Sequence, residues 1–311
     1  MNNLSYRLVD VFAEHPYSGN QLAVFTHAAH LSHERMQQIA RELNLSETTF
    51  IMKKDHDLGI YEVRIYTPEY EIPFAGHPTL GTAFVIQNDL RTSVKERVTL
   101  RYKAGDIPVW TTKDACGKDL YWMRQIQPEF GDVLPAESLA GVLGLSVEDF
   151  DSDFPIEEAS TGLPHIVVPL KNLEALARIK VSRSLYFDLI NKTWAKNLQV
   201  FCPHTHDGGE GISTRMFTDY LGIPEDPATG SGNGCLAGYF IRHSYFDSSM
   251  ASATGRRFSS CSRDSIELRS EQGYEMDRPS VLHLKARRKG EAIEIDVGGR
   301  VFPIAKGEFL P

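Results

Sequence analysis

The sequence predicts an α+β fold made of two similar domains, each a mixed β-sheet rolled around a central helix. Two observations support this prediction. Several segments recur in one order, so that Gly19 is repeated as Gly162 and Gly76 as Gly230, at offsets of 143 and 154 residues. Each copy also contains an almost wholly apolar helical segment, "TLGTAFVI" or "CLAGYFI", and a helix that is apolar on every side must be buried on every side. Two ordinary α+β sandwiches are the alternative.

The first copy opens with a strand pair, "YRLVDVFAEHPYSGNQLAVF", in which apolar residues alternate around a glycine turn. A helix is predicted over 33–43, where Ser32 is a suitable cap. Its apolar face holds Met36, Ile39, Ala40 and Leu43. A β-branched strand, "TTFIM", follows, and then an Arg-led strand, "VRIYT", leads through a Pro-containing loop to the first apolar helix.

The second copy repeats this plan. "ASTGLPHIVVPL" supplies the strand after a glycine turn, and "VSRSLYFDLINKTWAKNLQVF" supplies a helix followed by a strand. The helical face is predicted from four apolar residues, Leu185, Leu189, Ile190 and Trp194. "STRMFT" then leads to the second apolar helix.

The boundary between the copies carries no Pro/Gly/Ser-rich linker and lies near residues 113–120. We expect an N-terminal half over 1–116, joined by a C-terminal strand over 297–311, and a C-terminal half over 117–296. The active site is expected in the cleft between the two halves.

Composition narrows the class of function. The 311 residues carry a net charge of −8, with scattered Lys and Arg, which argues against a nucleic-acid or anionic-membrane partner. No apolar run approaches the length of a membrane span, and the start "MNNLSYRLVD" has no signal-peptide pattern. The four cysteines form no CxxC pair, so we expect reduced thiols and a cytoplasmic protein.

The stretch "EDPATGSGNG" indicates an anion site at a helix start. It lacks the GxGxxG spacing of a dinucleotide fold and the Lys-Ser/Thr pair of a P-loop, which argues against a nucleotide. The backbone amides of Gly230, Ser231 and Gly232 remain available to a small carboxylate. The Gly76-His77 turn offers a similar helix start in the first copy. A structural role, with Ser231 only capping its helix, is an equal alternative.

Three side chains are candidates for proton transfer and substrate orientation. Glu47 lies where a helix gives way to an apolar strand, so partial desolvation would raise its proton affinity. His77 titrates near neutral pH, and Asp226 precedes a proline that fixes the local backbone. Each has a plain alternative: a solvent-exposed strand end for Glu47, a helix cap for His77, and an Asx turn for Asp226. The second copy carries Asn197 where the first has Glu47.

Other kinds of chemistry find less support. The loop "FCPHTHDGGEG" offers potential metal ligands, namely Cys202, His204, His206 and Asp207, but their spacing is crowded and a second ligand cluster is missing. We therefore expect no metal. Nucleophilic catalysis is disfavoured because GxSxG is absent and Ser231 has no neighbouring His in sequence.

These residues resemble the phenazine-biosynthesis PhzF-like family, which is related in fold to diaminopimelate epimerase. The resemblance covers nearly the whole chain. It is carried by "VDVFAEHPYSGNQLAVF", "IARELNLSETTFI", "IPFAGHPTLGTA", "STGLPHIVV", "EDPATGSGNG", "EQGYEMDRPS" and "VGGRVFPIAKGEF".

The resemblance implies a homodimeric isomerase that uses no cofactor and acts on a small, cyclic amino or hydroxy acid. Glu47 matches the family's acid/base, which moves a proton between two carbons, and His77 and Asp226 complete the catalytic set. Gly76, Gly230, Ser231, Gly232 and Asn20 fall at substrate-binding positions. A non-catalytic small-acid-binding or regulatory protein that keeps the same pocket is the alternative.

Three differences from relatives affect these expectations. The related epimerases use a pair of cysteines at the two helix starts, whereas this chain has Ala75 and Thr229 there. A single base therefore favours proton relocation over stereoinversion. Gln21 replaces the family's usual proline and the loop 202–211 is peculiar to this chain, which leaves the identity of the substrate open.

Overall fold

The computed structural model describes residues 4–55, 57–90, 97–114, 116–247 and 258–310. The described residues form two compact units. Unit 1 draws on Met1–Arg124, Arg278–Ser280 and Gly298–Pro311. Unit 2 draws on Gln125–Asp277 and Val281–Val297.

Unit 1 is a mixed sheet with one helix inside it and one outside. Its helices are α1 (His33–Leu43) and α2 (Gly76–Val85), which continues into a π-helical turn, Ile86–Leu90. Its strands are β1 (Leu4–Val11), β2 (Asn20–Phe25), β3 (Glu47–Asp55), β4 (Ile60–Tyr66), β5 (Glu71–Ile72), β6 (Arg97–Tyr102), β7 (Gly105–Lys113), β8 (Asp119–Arg124) and, from the end of the chain, β18 (Val301–Phe309).

The sheet of unit 1 wraps α2. β1 pairs antiparallel with β18 and β2, β2 pairs parallel with β3, and β4 pairs antiparallel with β3 and parallel with β6. β7 pairs antiparallel with β6 and β8. α2 packs against β1, β2, β3, β6, β7, β8 and β18, and all of its residues except Phe84 are buried. The all-round apolar sequence of this helix is thus explained by strands on every side.

Unit 2 has the same kind of sheet with more helices outside it. Its helices are α3 (Ala136–Leu143), α4 (Leu173–Arg178), α5 (Arg183–Ile190) and α6 (Gly230–Arg242). Its strands are β9 (Glu129–Leu134), β10 (Ile156–Ser160), β11 (Pro164–Pro169), β12 (Asn197–Cys202), β13 (Ile212–Thr218), β14 (Ile223–Asp226), β15 (Ser265–Gln272), β16 (Ser280–Lys289) and β17 (Ala292–Gly299), the last two of which extend into the unit 1 ranges.

α6 is the central helix of unit 2. It packs against β10, β11, β12 and β15, and it is buried from Gly230 to Ile241. Successive side chains of β11 point to opposite faces of the sheet and so lie in two different environments. Ile166 and Val168 face an outer apolar core with α3, α4 and α5, whereas His165 and Val167 fall on the face toward α6.

The two units share one order of strand pairing. In unit 1, successive neighbours in the series β18, β1, β2, β3, β4 pair antiparallel, antiparallel, parallel and antiparallel. In unit 2, successive neighbours in the series β9, β10, β11, β12, β13 pair in the same order. The registers also correspond, because Leu22 lies opposite Glu47 and His165 lies opposite Asn197. Leu22 and His165 each follow their turn glycine by three residues, so Asn197 occupies the place of Glu47.

The predicted fold class, α+β with mixed sheets around central helices, is confirmed. The domain boundaries stay a prediction, although the contacts keep β8, which follows residue 116, with unit 1. The apolar face predicted for α5 is wrong at its first and last residues, Leu185 and Trp194. The helix ends at Ile190, and Leu185 and Trp194 are 43% and 44% exposed.

Among the described residues, we find no helix with the length and apolar character required to span a membrane.

Candidate active site

Glu47 and His77 lie side by side in unit 1. Glu47 is the first residue of β3 and His77 the second residue of α2. Glu47 Oε2 lies 3.5 Å from His77 Nε2, and their side chains are 12% and 3% exposed. This separation is longer than an ordinary charge-assisted hydrogen bond, so the two groups are in contact without being locked together.

The imidazole of His77 is neutral. Burial lowers the pKa of His77 from 6.5 to about 3, and a hydrogen bond to the backbone of Gln21 opposes that shift only partly. Because a backbone carbonyl only accepts, the ring donates to Gln21 from Nδ1, which leaves Nε2 as an unprotonated acceptor facing Glu47. The family difference at position 21 does not affect this contact, since every residue has a carbonyl.

Gly76 opens α2 after the N-cap residue Ala75, which makes no side-chain capping bond. The alternative role of His77, as the cap of its helix, is therefore wrong. Asn20 is the first residue of β2, 1% exposed, and lies opposite Val11. Glu47, His77, Gly76 and Asn20 thus belong to unit 1.

The start of α6 is the corresponding feature of unit 2. The N-cap residue is Thr229, which makes no side-chain capping bond, and Ser231 is the second helical residue. Ser231 is therefore not the cap of α6 either. The first-turn amides of an α-helix have no partner within the helix, and no N-cap side chain occupies them here.

The loop before α6 is tied down by Gln272, at the end of β15. Its Nε2 donates to the carbonyl of Asp226 at 2.7 Å and to Thr229 Oγ1 at 3.0 Å. Its Oε1 accepts from the Thr229 amide and from Asn233 Nδ2. Thr229 Oγ1 donates in turn to Asp226 Oδ2 at 2.5 Å. Asp226 thus takes part in closing its loop, as the Asx-type alternative expected.

Ser231 has a histidine partner. His165 Nε2, on β11, lies 3.1 Å from Ser231 Oγ, and both residues are buried. Ser231 has no neighbouring His in sequence, but the fold brings it into contact with His165, which is 66 residues away along the chain. In the described part of the chain, His165 Nδ1 has no hydrogen-bond partner. The third, orienting member of a nucleophilic triad is therefore missing.

Gln199 on β12 also lies against the start of α6. A Cβ atom on residue 232 would fall 2.0 Å from Gln199 Oε1 and 3.3 Å from His165 Cε1. Gly232 therefore leaves room for the Gln199 amide, which would have to shift if residue 232 carried a Cβ atom. Both polar atoms of the Gln199 amide are buried, and neither has a partner among the described residues.

The positions of the cysteines argue against a mechanism in which two cysteines at the helix starts act as the bases. Ala75 and Thr229 are the N-cap residues of α2 and α6 and so occupy equivalent places. Cys235 lies farther along α6, fully buried, and burial raises the pKa of its thiol to about 12. A thiol of that kind stays protonated and is a poor base near neutral pH.

The Cys-His-rich loop is engaged in hydrogen bonds and ion pairs. His206 Nδ1 lies 3.1 Å from Glu271 Oε2, and Asp207 Oδ2 pairs with Arg269 at 2.5 Å. Cys202 Sγ donates to the carbonyl of His204 at 3.8 Å. Across the ranges that the structure describes, no group of three or more His, Cys, Asp or Glu side chains is arranged to hold a metal ion.

The predicted site residues thus form two groups. Glu47, His77, Gly76 and Asn20 lie in unit 1, and Asp226, Gly230, Ser231 and Gly232 lie in unit 2. Sequence reasoning missed His165, Gln199 and Gln272. His165 and Gln272 stand inside the quoted stretches "STGLPHIVV" and "EQGYEMDRPS", so the motifs marked their segments but gave no role to the side chains.

Comparison with known proteins identifies the family of this chain. The model of the family described as "Phenazine biosynthesis-like protein", PhzC-PhzF, matches residues 9–307. The chain is 33% identical over 303 residues to a trans-2,3-dihydro-3-hydroxyanthranilate isomerase of Pseudomonas aeruginosa, covering 97% of this chain and 98% of the relative. It is 30% identical to an uncharacterized isomerase of Clostridium acetobutylicum, covering 97% and 96%.

Solved structures resemble the fold. A phenazine biosynthesis protein of the PhzF family from Bacillus anthracis superposes with a TM-score of 0.85 at 27% identity, covering 100% of both chains. A probable proline racemase from Agrobacterium radiobacter gives a TM-score of 0.61 at 11% identity, covering 99% of this chain and 93% of that one, and shows the fold alone. The chain belongs to the phenazine biosynthesis-like (PhzC-PhzF) family and is an isomerase.

Proposed function

We propose that this isomerase moves a proton between two carbons of a small cyclic amino or hydroxy acid, without a cofactor, and that Glu47 is its single acid/base. The observation that carries the proposal is the buried contact of the Glu47 carboxyl group with the neutral imidazole of His77. In the first half of the reaction the Glu47 carboxylate takes a proton from one carbon. In the second half the Glu47 carboxylic acid delivers that proton to another carbon.

His77 suits this cycle because its Nε2 carries a lone pair and no proton. A carboxylic acid donates a hydrogen bond to such an acceptor, whereas a carboxylate gains nothing from it. The imidazole therefore favours the protonated form of Glu47, which is the form produced by the first proton transfer. His77 tunes Glu47 without taking the proton itself, since its own pKa is about 3.

The start of α6 supports a site for the carboxylate of the substrate. The amides of Gly230, Ser231 and Gly232 stand at the positive end of a buried helix, which favours an anion. Ser231 adds a hydroxyl group. Asp226 is proposed to orient an amine or hydroxyl group of the substrate, and Gly76 and Asn20, which belong to unit 1, are proposed as substrate-binding residues.

Relatives suggest the class of substrate. The Pseudomonas relatives are named trans-2,3-dihydro-3-hydroxyanthranilate isomerases, and that compound carries a carboxylate, an amine and a hydroxyl group on one ring. We propose that the substrate of this chain belongs to the same class of cyclic amino and hydroxy acids.

The test is turnover of trans-2,3-dihydro-3-hydroxyanthranilate by the purified protein after removal of metals with a chelator, followed by NMR. We expect conversion to an isomer, with activity unchanged by the chelator. If the compound binds but is never converted, the chain is a small-acid-binding protein for this class, and the isomerase proposal fails for it. If chelation abolishes conversion and added metal restores it, the cofactor-free mechanism fails.

We also propose that the protein is a homodimer and works in the cytoplasm, as the family resemblance implies. Light scattering on the purified chain measures its mass in solution. A mass near twice 34.9 kDa is expected, and a concentration-independent monomer contradicts the dimer.

A further inference from the structure

His165 lies directly beneath the first turn of α6. It projects from β11 on the face toward that helix, it is fully buried, and its Nε2 is 3.1 Å from Ser231 Oγ. In the proposed function Ser231 is one of the groups that hold the substrate's carboxylate. The direction in which its hydroxyl proton points therefore matters for binding.

Only one ring nitrogen of His165 carries a proton. Burial lowers the pKa of His165 to about 3, so the ring is neutral in the physiological range. If Nδ1 carried the proton, that buried N–H would have no acceptor within the described residues. The Ser231 hydroxyl group would then donate its proton to Nε2. If Nε2 carries it, that N–H donates to Ser231 Oγ. The second arrangement is favoured because a buried N–H left unpaired is rarer than an unpaired acceptor.

We propose that His165 is a positioning residue: it donates from Nε2 to Ser231 Oγ and so directs the Ser231 hydroxyl proton toward the anionic group of the substrate. A serine hydroxyl has one proton to donate. Once His165 occupies a lone pair of Oγ, that proton is free for an oxygen of the ligand. This inference rests on the proposed function, because it assigns Ser231 to the carboxylate site.

Residue 232 is a glycine that leaves room for the imidazole close to the helix. Gly232 has no Cβ, and a Cβ there would lie 3.3 Å from His165 Cε1 and 2.0 Å from Gln199 Oε1. His165 and Gln199 can therefore approach the backbone of α6 because residue 232 is glycine.

The arrangement occurs in one of the two copies. Leu22 occupies in β2 the register position that His165 occupies in β11, and His77 stands where α6 has Ser231. Each copy thus places one buried imidazole at the start of its central helix. In unit 1 the imidazole comes from the helix and faces Glu47, and in unit 2 it comes from the strand and faces Ser231.

The first experiment is a double-mutant cycle on ligand binding. His165→Phe keeps a planar ring but removes the donor, and Ser231→Ala removes the hydroxyl group. The dissociation constant of 3-hydroxyanthranilate, a stable aromatic analogue, is measured by calorimetry for wild type, both single variants and the double variant. Val167→Ala, on the same face of β11, is the packing control, and thermal unfolding shows which variants fold.

We expect His165→Phe to weaken binding about 3- to 30-fold, the range of a hydrogen bond to a charged or polar partner. In the Ser231→Ala background His165→Phe should change affinity little, because His165 acts through Ser231. Equal losses in both backgrounds, or no loss in folded His165→Phe, overturn the inference. If Ser231→Ala binds the analogue as tightly as wild type, the Ser231 hydroxyl group does not hold the carboxylate, and this inference fails while the amides of α6 can still bind it.

A second measurement needs no ligand. Nitrogen-15 NMR of the imidazole identifies which ring nitrogen carries the proton in the wild-type protein. Protonation of Nε2 is expected. Protonation of Nδ1 overturns the inference even if the analogue does not bind, because His165 would then accept the Ser231 proton rather than release it.

Discussion

At the scale of single residues, the proposed site contains two imidazoles that burial keeps neutral. Burial lowers the pKa values of both His77 and His165 from 6.5 to about 3. In both side chains one ring nitrogen contacts a functional group, Glu47 in one case and Ser231 in the other. Neutrality matters because an imidazolium beside Glu47 would hold it as a carboxylate and oppose its protonation.

The same shifts predict how stability depends on pH. An unfolded histidine binds a proton below about pH 6.5, whereas these folded ones resist it until about pH 3. Their contribution to the free energy of unfolding is therefore complete above pH 6.5 and is lost progressively as the pH falls toward 3. Urea unfolding between pH 7.5 and 4.5 should show this loss.

His165→Phe is the matched comparison for that experiment. Removing one of the two titrating groups should make the fall in the urea midpoint with decreasing pH smaller than in wild type. Carboxylates contribute equally to the fall of the urea midpoint in both proteins. If the midpoint falls by the same amount in both, His165 is not a neutral, buried group.

At the scale of elements, the central helices were predictable and their partners were not. α2 and α6 follow from all-round apolar segments, which leave no solvent face. α1 follows from Ser32, whose side chain accepts from the Arg35 amide at 3.2 Å. The contacts of Ser231 with His165 and of Thr229 with Gln272 join residues 66 and 43 positions apart. Such pairs depend on which strands are adjacent, and periodicity does not reveal this.

The central position of α2 leads to a prediction for Gly81. A Cβ there would lie 2.6 Å from Leu22 Cδ2 and 2.9 Å from Val11 Cγ2. Alanine usually stabilises a helix interior relative to glycine, but here the crowding should dominate. We expect Gly81→Ala to destabilise the protein by about 1–3 kcal/mol in urea unfolding.

Gly141 in α3 is the control, because it is exposed and a Cβ there meets only the end of the Leu185 side chain, at 3.3 Å. Gly141→Ala should be neutral or stabilising by up to about 1 kcal/mol. Equal effects of the two substitutions contradict a close-packed α2.

At the scale of the whole molecule, one strand plan occurs twice while the proposed base occurs once. The register position of Glu47 holds Asn197 in the second copy. Asn197 is buried, donates to the Pro164 carbonyl at 2.9 Å and accepts from Thr218 Oγ1 at 2.6 Å. These bonds give Asn197 a structural role, so the proposed base belongs to the first copy alone among these two register positions.

This difference predicts opposite effects at equivalent positions. Asn197→Ala removes the Asn197 partner of the half-buried Pro164 carbonyl and of the buried Thr218 hydroxyl group, and it should lower the free energy of unfolding by about 1–3 kcal/mol. The fraction that folds should still turn over substrate. Glu47→Gln should leave stability nearly unchanged. Urea unfolding and activity per folded molecule check both expectations, and a stable Asn197→Ala protein contradicts the structural role.

The measurement that tests the central claim most directly is the turnover of trans-2,3-dihydro-3-hydroxyanthranilate by wild type, Glu47→Gln and Glu42→Gln. Glu42 is an exposed carboxylate on α1 and serves as the control. We predict that Glu47→Gln lowers kcat by about 10²–10⁴-fold, the usual contribution of a positioned acid/base, with ligand affinity kept. Glu42→Gln should match wild type. If Glu47→Gln turned over the compound as fast as wild type does, Glu47 would not be the acid/base, and the central claim would be contradicted.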